Sequence, residues 1–337
     1  MKQKIWTGLF ASISMLFMIL DTKTAIAGAQ EGLTLCIMTV IPSLLPFLML
    51  SILLTGSVSG MRTKLLFPIC RLCRIPEGSE SIFLIGLLGG YPAGAQAVAD
   101  CYASGQLAKK DAQRMLGFCS NAGPSFLFGI VASMFSHWSS PWLLWLIHIF
   151  SAVTVGIILP GGSNHTAILS QSKLVTLPEA LTRSLKIMAK ICSWIIIFRV
   201  ILAFFSRWFL WILPIQVRVI VFGAMELTVG CTGLSLIQNE GLRFILAAAF
   251  LGFGGICITM QTISVTEKSG CGMYIPGKLM QCLVSILLAA AVQSIFVQDS
   301  FQVHPAFFIF GLIFAGLGTF ILAKFEKRYS NYALLDV

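Results

Sequence analysis

Glu226 is a carboxylate inside an apolar stretch, Val219–Ile237, with no basic residue within seven positions on either side. A charge deep in a bilayer costs roughly 2.5 kcal/mol or more and marks a functional site by default. Glu226 could couple a proton or Na⁺, accept hydrogen bonds from a solute, or pair structurally with Arg199, a base in the middle of a long apolar run. Asn121 lies between Ser120 and Ser125 beside Pro124, where it could cap a half-helix or bind a polar solute. Gly90, Tyr91, Pro92 and Gly94 form another cluster, with Gln96 one turn on. Thr228, Thr232, Thr259 and Gln261 lie in or beside comparable interruptions. Each of these could equally be an interhelical hydrogen bond, which contributes roughly 0.6 kcal/mol on average. The candidate substrate-binding set is Gly90, Tyr91, Pro92, Gly94, Gln96, Ser120, Asn121, Ser125, Glu226, Thr228 and Gln261.

Other chemistries lack their residues. The 10 cysteines fall almost entirely within or beside apolar runs, where cysteine behaves as a small hydrophobe. Cys70 and Cys73 form a lone CxxC with no second pair nearby, and His137, His148, His165 and His304 share no metal-ligand spacing. No nucleophile elbow, P-loop or dinucleotide fingerprint is present, and no paired carboxylates or nucleophile–base set appears. The expectation is a protein without metal, cofactor or enzymatic activity.

These residues must be held by elements that live in lipid. Of the 337 residues, 57% are hydrophobic and 11% charged, against about 45–50% and 25% in soluble domains, and the mean hydropathy is +0.90. Too few charges exist to cover a soluble globule of this size. Runs near the roughly 20 residues needed to span a bilayer are Ile5–Leu20, Leu33–Leu54, Met115–Phe135, Trp142–Leu159, Ile187–Phe205, Phe244–Val265, Leu279–Val297 and Pro305–Ala323. Ile82–Ala99 and Val219–Ile237 are interrupted by small residues and are expected to be re-entrant hairpins. The basic start and Ala25–Ile26–Ala27 resemble a signal peptide, but Ile5–Leu20 reads better as a short first helix.

The net charge of +10 could suggest nucleic acid, yet its placement reads as an orientation signal. With eight crossings and two hairpins, one side holds 18 of the 23 basic residues: Lys2, Lys4, Arg62, Lys64, Arg71, Arg74, Lys109, Lys110, Arg114, Lys173, Arg183, Lys186, Lys190, Lys268, Lys278, Lys324, Lys327 and Arg328. The other side holds Lys23, Arg207, Arg218 and Arg243. Both termini are then expected in the cytoplasm. The arrangement also turns the two hairpins in opposite senses.

That matters because the halves resemble each other. Leu116–Gly117–Phe118 matches Leu251–Gly252–Phe253, and each follows a small-residue break, Gly89–Ala95 or Met225–Cys231. The unit is a helix, a broken hairpin and a broken helix, giving repeat 1 at 33–136, repeat 2 at 186–265 and a C-terminal helix pair at 279–323. The expected fold is all-α and polytopic: about eight spanning helices plus two re-entrant helical hairpins, in two inverted repeats within one membrane domain. Inverted repeats with discontinuous helices characterise many secondary transporters. Irregular backbone is tolerated in lipid only when buried in protein or lining a watery cavity, so the breaks are expected to converge on a site.

The ordered motifs Val40–Phe47, Gly89–Gln96, Phe118–Gly129, Met225–Gly230 and Gly252–Gln261 resemble the sporulation integral membrane protein YlbJ family, over roughly Gly8 to Phe325. That family is grouped with nucleoside-recognition (Gate) domain proteins and is related to spore maturation proteins. The resemblance implies an endospore-forming lineage, an inner-membrane location, a role in spore envelope or cortex formation and distant kinship to nucleoside transporters. The family pattern commonly has a basic residue where Gln96 stands, which weakens any charge-coupled role there. The resulting expectation is a secondary transporter of a small polar solute, nucleoside-like by resemblance, with a proton or Na⁺ as coupling ion, the lipid bilayer as surroundings and no nucleic-acid partner. The alternative is a non-transporting scaffold or partner subunit in spore-envelope assembly.

Overall fold

The structure is a computed structural model that describes residues 2–58, 67–161 and 175–296. Among these residues every regular element is helical. In chain order the helices are α1 (Lys2–Leu20), α2 (Thr22–Leu35), α3 (Ile41–Val58), α4 (Phe67–Leu72), α5 (Glu80–Gly89), α6 (Ala93–Ala103), α7 (Lys109–Cys119), α8 (Pro124–Gly129), α9 (Ser139–Ile158), α10 (Leu177–Trp208), α11 (Ile215–Met225), α12 (Leu227–Gly233), α13 (Glu240–Phe253), α14 (Gly255–Val265) and α15 (Tyr274–Phe296). Among the described residues five stretches are long and apolar enough to cross a membrane: Thr22–Leu50, Ser139–Ile158, Leu177–Trp208, Glu240–Val265 and Tyr274–Ser294.

Several expected boundaries move. The Leu33–Leu54 run belongs to a longer helical column, in which a π turn at Cys36–Val40 joins α2 to α3. The helix therefore begins before Ala25–Ile26–Ala27 and runs through it. Met115–Phe135 is not one helix: α7 ends at Cys119, Ser120 is extended, and Pro124 starts α8. Proline has no N–H to donate and disfavours helical geometry in the residue before it, so a continuous span is barred there. Phe244–Val265 is split at Gly254, whose φ of +81° is the left-handed region that favours glycine. Pro305–Ala323, and with it most of the expected C-terminal pair, lies outside the described residues; its first member is α15.

Glycines set the closest approaches. Gly28 and Gly32, four residues apart on α2, seat α10 so closely that added methyls would come 2.9 Å from Val200 Cα and Ile196 Cα. In α15, Gly277 rests on the Gly117 backbone of α7, while Gly252 of α13 lies against Cys282. The two glycines of the matching Leu–Gly–Phe triplets therefore both seat α15, which gives that match a packing reason. In the α5–α6 pair Gly94 meets Gly86 and the Cys119 carbonyl; in the α11–α12 pair Gly230 meets Gly223.

Two arginines close the C-terminal end of α9, where the last carbonyls of any helix lack partners. Arg114 donates from Nη2 to Gly156 O (2.5 Å), from Nε to Leu159 O (3.2 Å) and from Nη1 to Cys73 O (2.8 Å). Arg74 Nη2 donates to Ile157 O (2.8 Å) and Leu159 O (3.2 Å). Arg114 is buried rather than free in a polar loop, as the charge count had it. A guanidinium suits this place, because its several donors can serve carbonyls on different segments at once.

Candidate functional site

Four interruptions position the candidate residues. Between α5 and α6 the chain turns through Gly90 (φ +73°), Tyr91 and Pro92. Between α7 and α8 it runs through Ser120–Gly123. Glu226, extended at φ −141° and ψ 120°, separates α11 from α12, and Gly254 separates α13 from α14. The first two come together: a methyl on Gly90 would lie 3.0 Å from Gly123 N. The first and fourth do so as well, since a methyl on Gly254 would lie 3.2 Å from the Tyr91 ring.

A small cavity of about 40 Å³ sits where three of these breaks meet. Its lining includes Gly89, Gly90 and Tyr91 from the first break, Ala122, Gly123 and Ser125 from the second, and Glu226, Leu227 and Thr228 from the third. Gln261 of α14 adds a polar group, while Ile258 of the same helix joins Val40, Leu44, Leu48, Ile191 and Ile195 in an apolar wall. Of the eleven candidates, Gly90, Tyr91, Ser125, Glu226, Thr228 and Gln261 therefore share one cavity.

Glu226 is 2% exposed. Its Oε1 accepts from Thr228 N (3.0 Å) and its Oε2 from Val229 N (2.7 Å), so the carboxylate caps α12 and satisfies two backbone donors freed by the break. The alternative reading, an ion pair with Arg199, is not found among the described contacts. Arg199 Nη2 instead bonds Glu31 Oε2 at 2.6 Å, next to Gly32, which packs against the Arg199 side chain.

The remaining candidates divide. Pro92 and Gln96 line a second, larger cavity of about 630 Å³, and Gln261 lines both. Gln96 Nε2 also donates to Asp100 Oδ1 at 2.8 Å. Gly94 lies in the α5–α6 contact, where its absent side chain lets the helices meet. Ser120 and Asn121 are fully buried away from both cavities. Asn121 Nδ2 donates to Phe118 O (2.7 Å), capping the end of α7, and its Oδ1 accepts from Gln281 Nε2 (3.0 Å). Of the two roles open to Asn121, the structure gives it the cap. Thr232 and Thr259 donate to carbonyls four residues back in their own helices, Thr228 O and Gly255 O, both at 3.0 Å.

A polar core behind the breaks was not singled out from the sequence. Lys278, counted there as a loop charge, is 1% exposed on α15. Its Nζ donates to Tyr91 Oη (3.1 Å) and to Gln281 Oε1 (2.5 Å), and lies 5.0 Å from the Tyr91 ring centroid. Tyr91 Oη in turn donates to Leu251 O at 3.1 Å. His148 Nε2 accepts from Ala122 N at 3.0 Å, so in the neutral ring the proton is on Nδ1. Ser285 Oγ donates to Ser151 Oγ at 3.0 Å. A sequence signal existed: Tyr274, Lys278, Gln281 and Ser285 are spaced four, three and four apart, a single polar stripe along an apolar helix, and all are buried.

Helices broken at a shared polar centre, together with five apolar stretches of spanning length among the described residues, define a multi-pass α-helical membrane protein. No protein-family model matches the chain, and no solved structure matches it. The chain is similar to the sporulation integral membrane protein YlbJ of Bacillus subtilis (strain 168), with 26% identity over 318 residues, covering 79% of this chain and 77% of that protein. This similarity supports the YlbJ family, the one its motifs resemble.

Proposed function

We propose that this chain is a sporulation-associated inner-membrane protein that acts as a secondary transporter of a small polar solute. The sporulation role is carried over from the name of its Bacillus subtilis relative. The observation behind transport is the cavity itself: three backbone breaks, from both halves of the sequence, line one space that Glu226 also lines. Unpaired backbone in lipid is tolerated where it lines a cavity or is buried in protein, and discontinuous helices are the usual way a transporter builds a solute site. The larger cavity shares Gln261 and Ile191 with the small one and serves as its vestibule. The two halves, related as inverted repeats, would open this centre alternately to either side. Both termini and the vestibule mouth would then face the cytoplasm. Nucleoside-like solutes are the first class to test, following the resemblance to Gate-domain proteins. Glu226 is the ionisable group through which a proton or Na⁺ would be coupled.

The test is uptake by proteoliposomes holding the purified chain, with a panel of labelled nucleosides and other small polar solutes, under an imposed pH or Na⁺ gradient. Accumulation above the gradient-free control is expected, and Glu226→Gln should abolish it while the variant still folds. Unchanged gradient-driven uptake in Glu226→Gln would refute the coupling role. Absence of uptake for every solute under both gradients would favour the scaffold reading.

A further inference from the structure

The vestibule carries charge in a pattern that a loop-orientation signal does not require. Arg183, Lys186 and Lys190 of α10 all line it. Their spacing of three and four residues puts them on one face of the helix, the same face that brings Trp194 into the lining one turn further along. Charges that served only to orient the chain would be free to lie anywhere around the helix. Asp100 is the one acid among the described lining residues, and it already accepts a hydrogen bond from Gln96. The lining thus has a formal excess of two positive charges. Apolar side chains, Ile82, Ile85 and Val265 among them, form much of the rest of the wall. The volume of about 630 Å³ falls in the range that holds a small organic molecule.

We propose that this vestibule binds a solute with an anionic, phosphate-like head and an apolar or aromatic body, the head held by Arg183, Lys186 and Lys190 and the body packed against Trp194 and the aliphatic wall. The inference deepens the transport reading and rests on it for the meaning of binding, but binding itself can be measured without transport. Guanidinium and ammonium groups recognise phosphate through charge-assisted hydrogen bonds, arginine as a fork and lysine as a point charge. Such a head could belong to a soluble phosphomonoester or to an anionic lipid entering from the bilayer; the recognising chemistry is the same.

The full chain in neutral-lipid nanodiscs is titrated with uridine monophosphate and with uridine, and unfolding temperature and calorimetric binding are recorded. A parallel set compares nanodiscs of phosphatidylcholine alone with nanodiscs containing phosphatidylglycerol. The wild type should bind one anionic probe at least tenfold more tightly than its neutral counterpart, with affinity falling as salt is raised. A triple variant, Arg183→Gln, Lys186→Gln and Lys190→Gln, should lose that preference. Preference for the nucleotide assigns a soluble source, and preference for phosphatidylglycerol assigns a lipid source. Equal response to anionic and neutral probes in both sets, or an undiminished preference in the triple variant, overturns the proposal. Should the triple variant fail to fold, single substitutions at Lys186 and Lys190 each keep the comparison. A preference for the anion together with no uptake in proteoliposomes would leave the site standing and remove the transport reading.

Discussion

Two glycines three residues apart on α12 should respond in opposite directions to the same added methyl. A Cβ on Gly230 would be driven into the Gly223 Cα and would lie 2.6 Å from Gly223 N and 3.4 Å from Phe222 C. All three are backbone atoms of α11, so no side-chain rotation relieves the clash and the helices must part. Overpacking of this kind costs typically about 1–3 kcal/mol, and an immovable backbone neighbour favours the upper end. Alanine returns up to about 1 kcal/mol of helix propensity relative to glycine, leaving a net loss of about 1–2 kcal/mol. Gly233 has ordinary helical torsions, φ −65° and ψ −16°, and a methyl there would meet only the Val219 side chain at 3.5 and 3.7 Å. Gly233→Ala should therefore gain about 0.5–1 kcal/mol from propensity alone. The pair should differ by about 1.5–3 kcal/mol in reversible unfolding in mixed micelles, followed by far-UV circular dichroism. Because α11, the Glu226 break and α12 line or border the small cavity, Gly230→Ala should also weaken solute uptake, while Gly233→Ala should leave it unchanged. Equal stabilities for the two variants would refute the argument that backbone contact between α11 and α12 sets the geometry of the third break.

Tyr91→Phe removes the hydroxyl that donates to Leu251 O and accepts from Lys278 Nζ. Leaving the buried Lys278 amine short of an acceptor should cost about 1–3 kcal/mol, readable in the same unfolding assay; a loss below about 0.5 kcal/mol would show that the bridge does not hold the first break to α13. Arg114→Lys leaves the Cys73 and Gly156 carbonyls, on different segments, to share one amine in place of two guanidinium nitrogens, while Leu159 O keeps Arg74 Nη2. A loss of about 2–4 kcal/mol is expected, together with faster amide exchange at the C-terminal turn of α9, and a lysine that restored wild-type exchange would contradict the capping role.

Membrane residence was legible because it depends on summed composition, and the breaks because they depend on local backbone chemistry. Glycine and proline announce themselves wherever they occur, and Gly90, Pro124 and Gly254 each interrupt a helix for a reason internal to its own segment. The isolation of Glu226 from basic neighbours was also correct as a local statement. What it touches was not legible, since its two partners are backbone N–H groups that exist as free donors only once the chain has broken there. Position beside a break leaves both a cap and a solute contact open to Asn121 and makes Gly94 a solute-binding candidate; in the folded chain Asn121 caps α7 and Gly94 lies in a helix contact. Lys278 was assigned to a loop because it stands near the end of an apolar run; the start of α15 at Tyr274 carries it into the interior.

The amino-acid order by itself thus determined that the chain lives in lipid, where its backbone must break, and which polar residues stand at those breaks, because each follows from composition or from neighbours a few positions away. The tertiary structure alone decided which of those residues share a cavity and which are spent on packing. Tyr91 reaches Leu251 across 160 positions and Lys278 across 187, and Arg199 takes Glu31 across 168 instead of the nearer Glu226. Contacts over such separations are fixed by where helices cross, and the crossings are set by glycine seats such as Gly28, Gly117 and Gly252, whose partners no local pattern names.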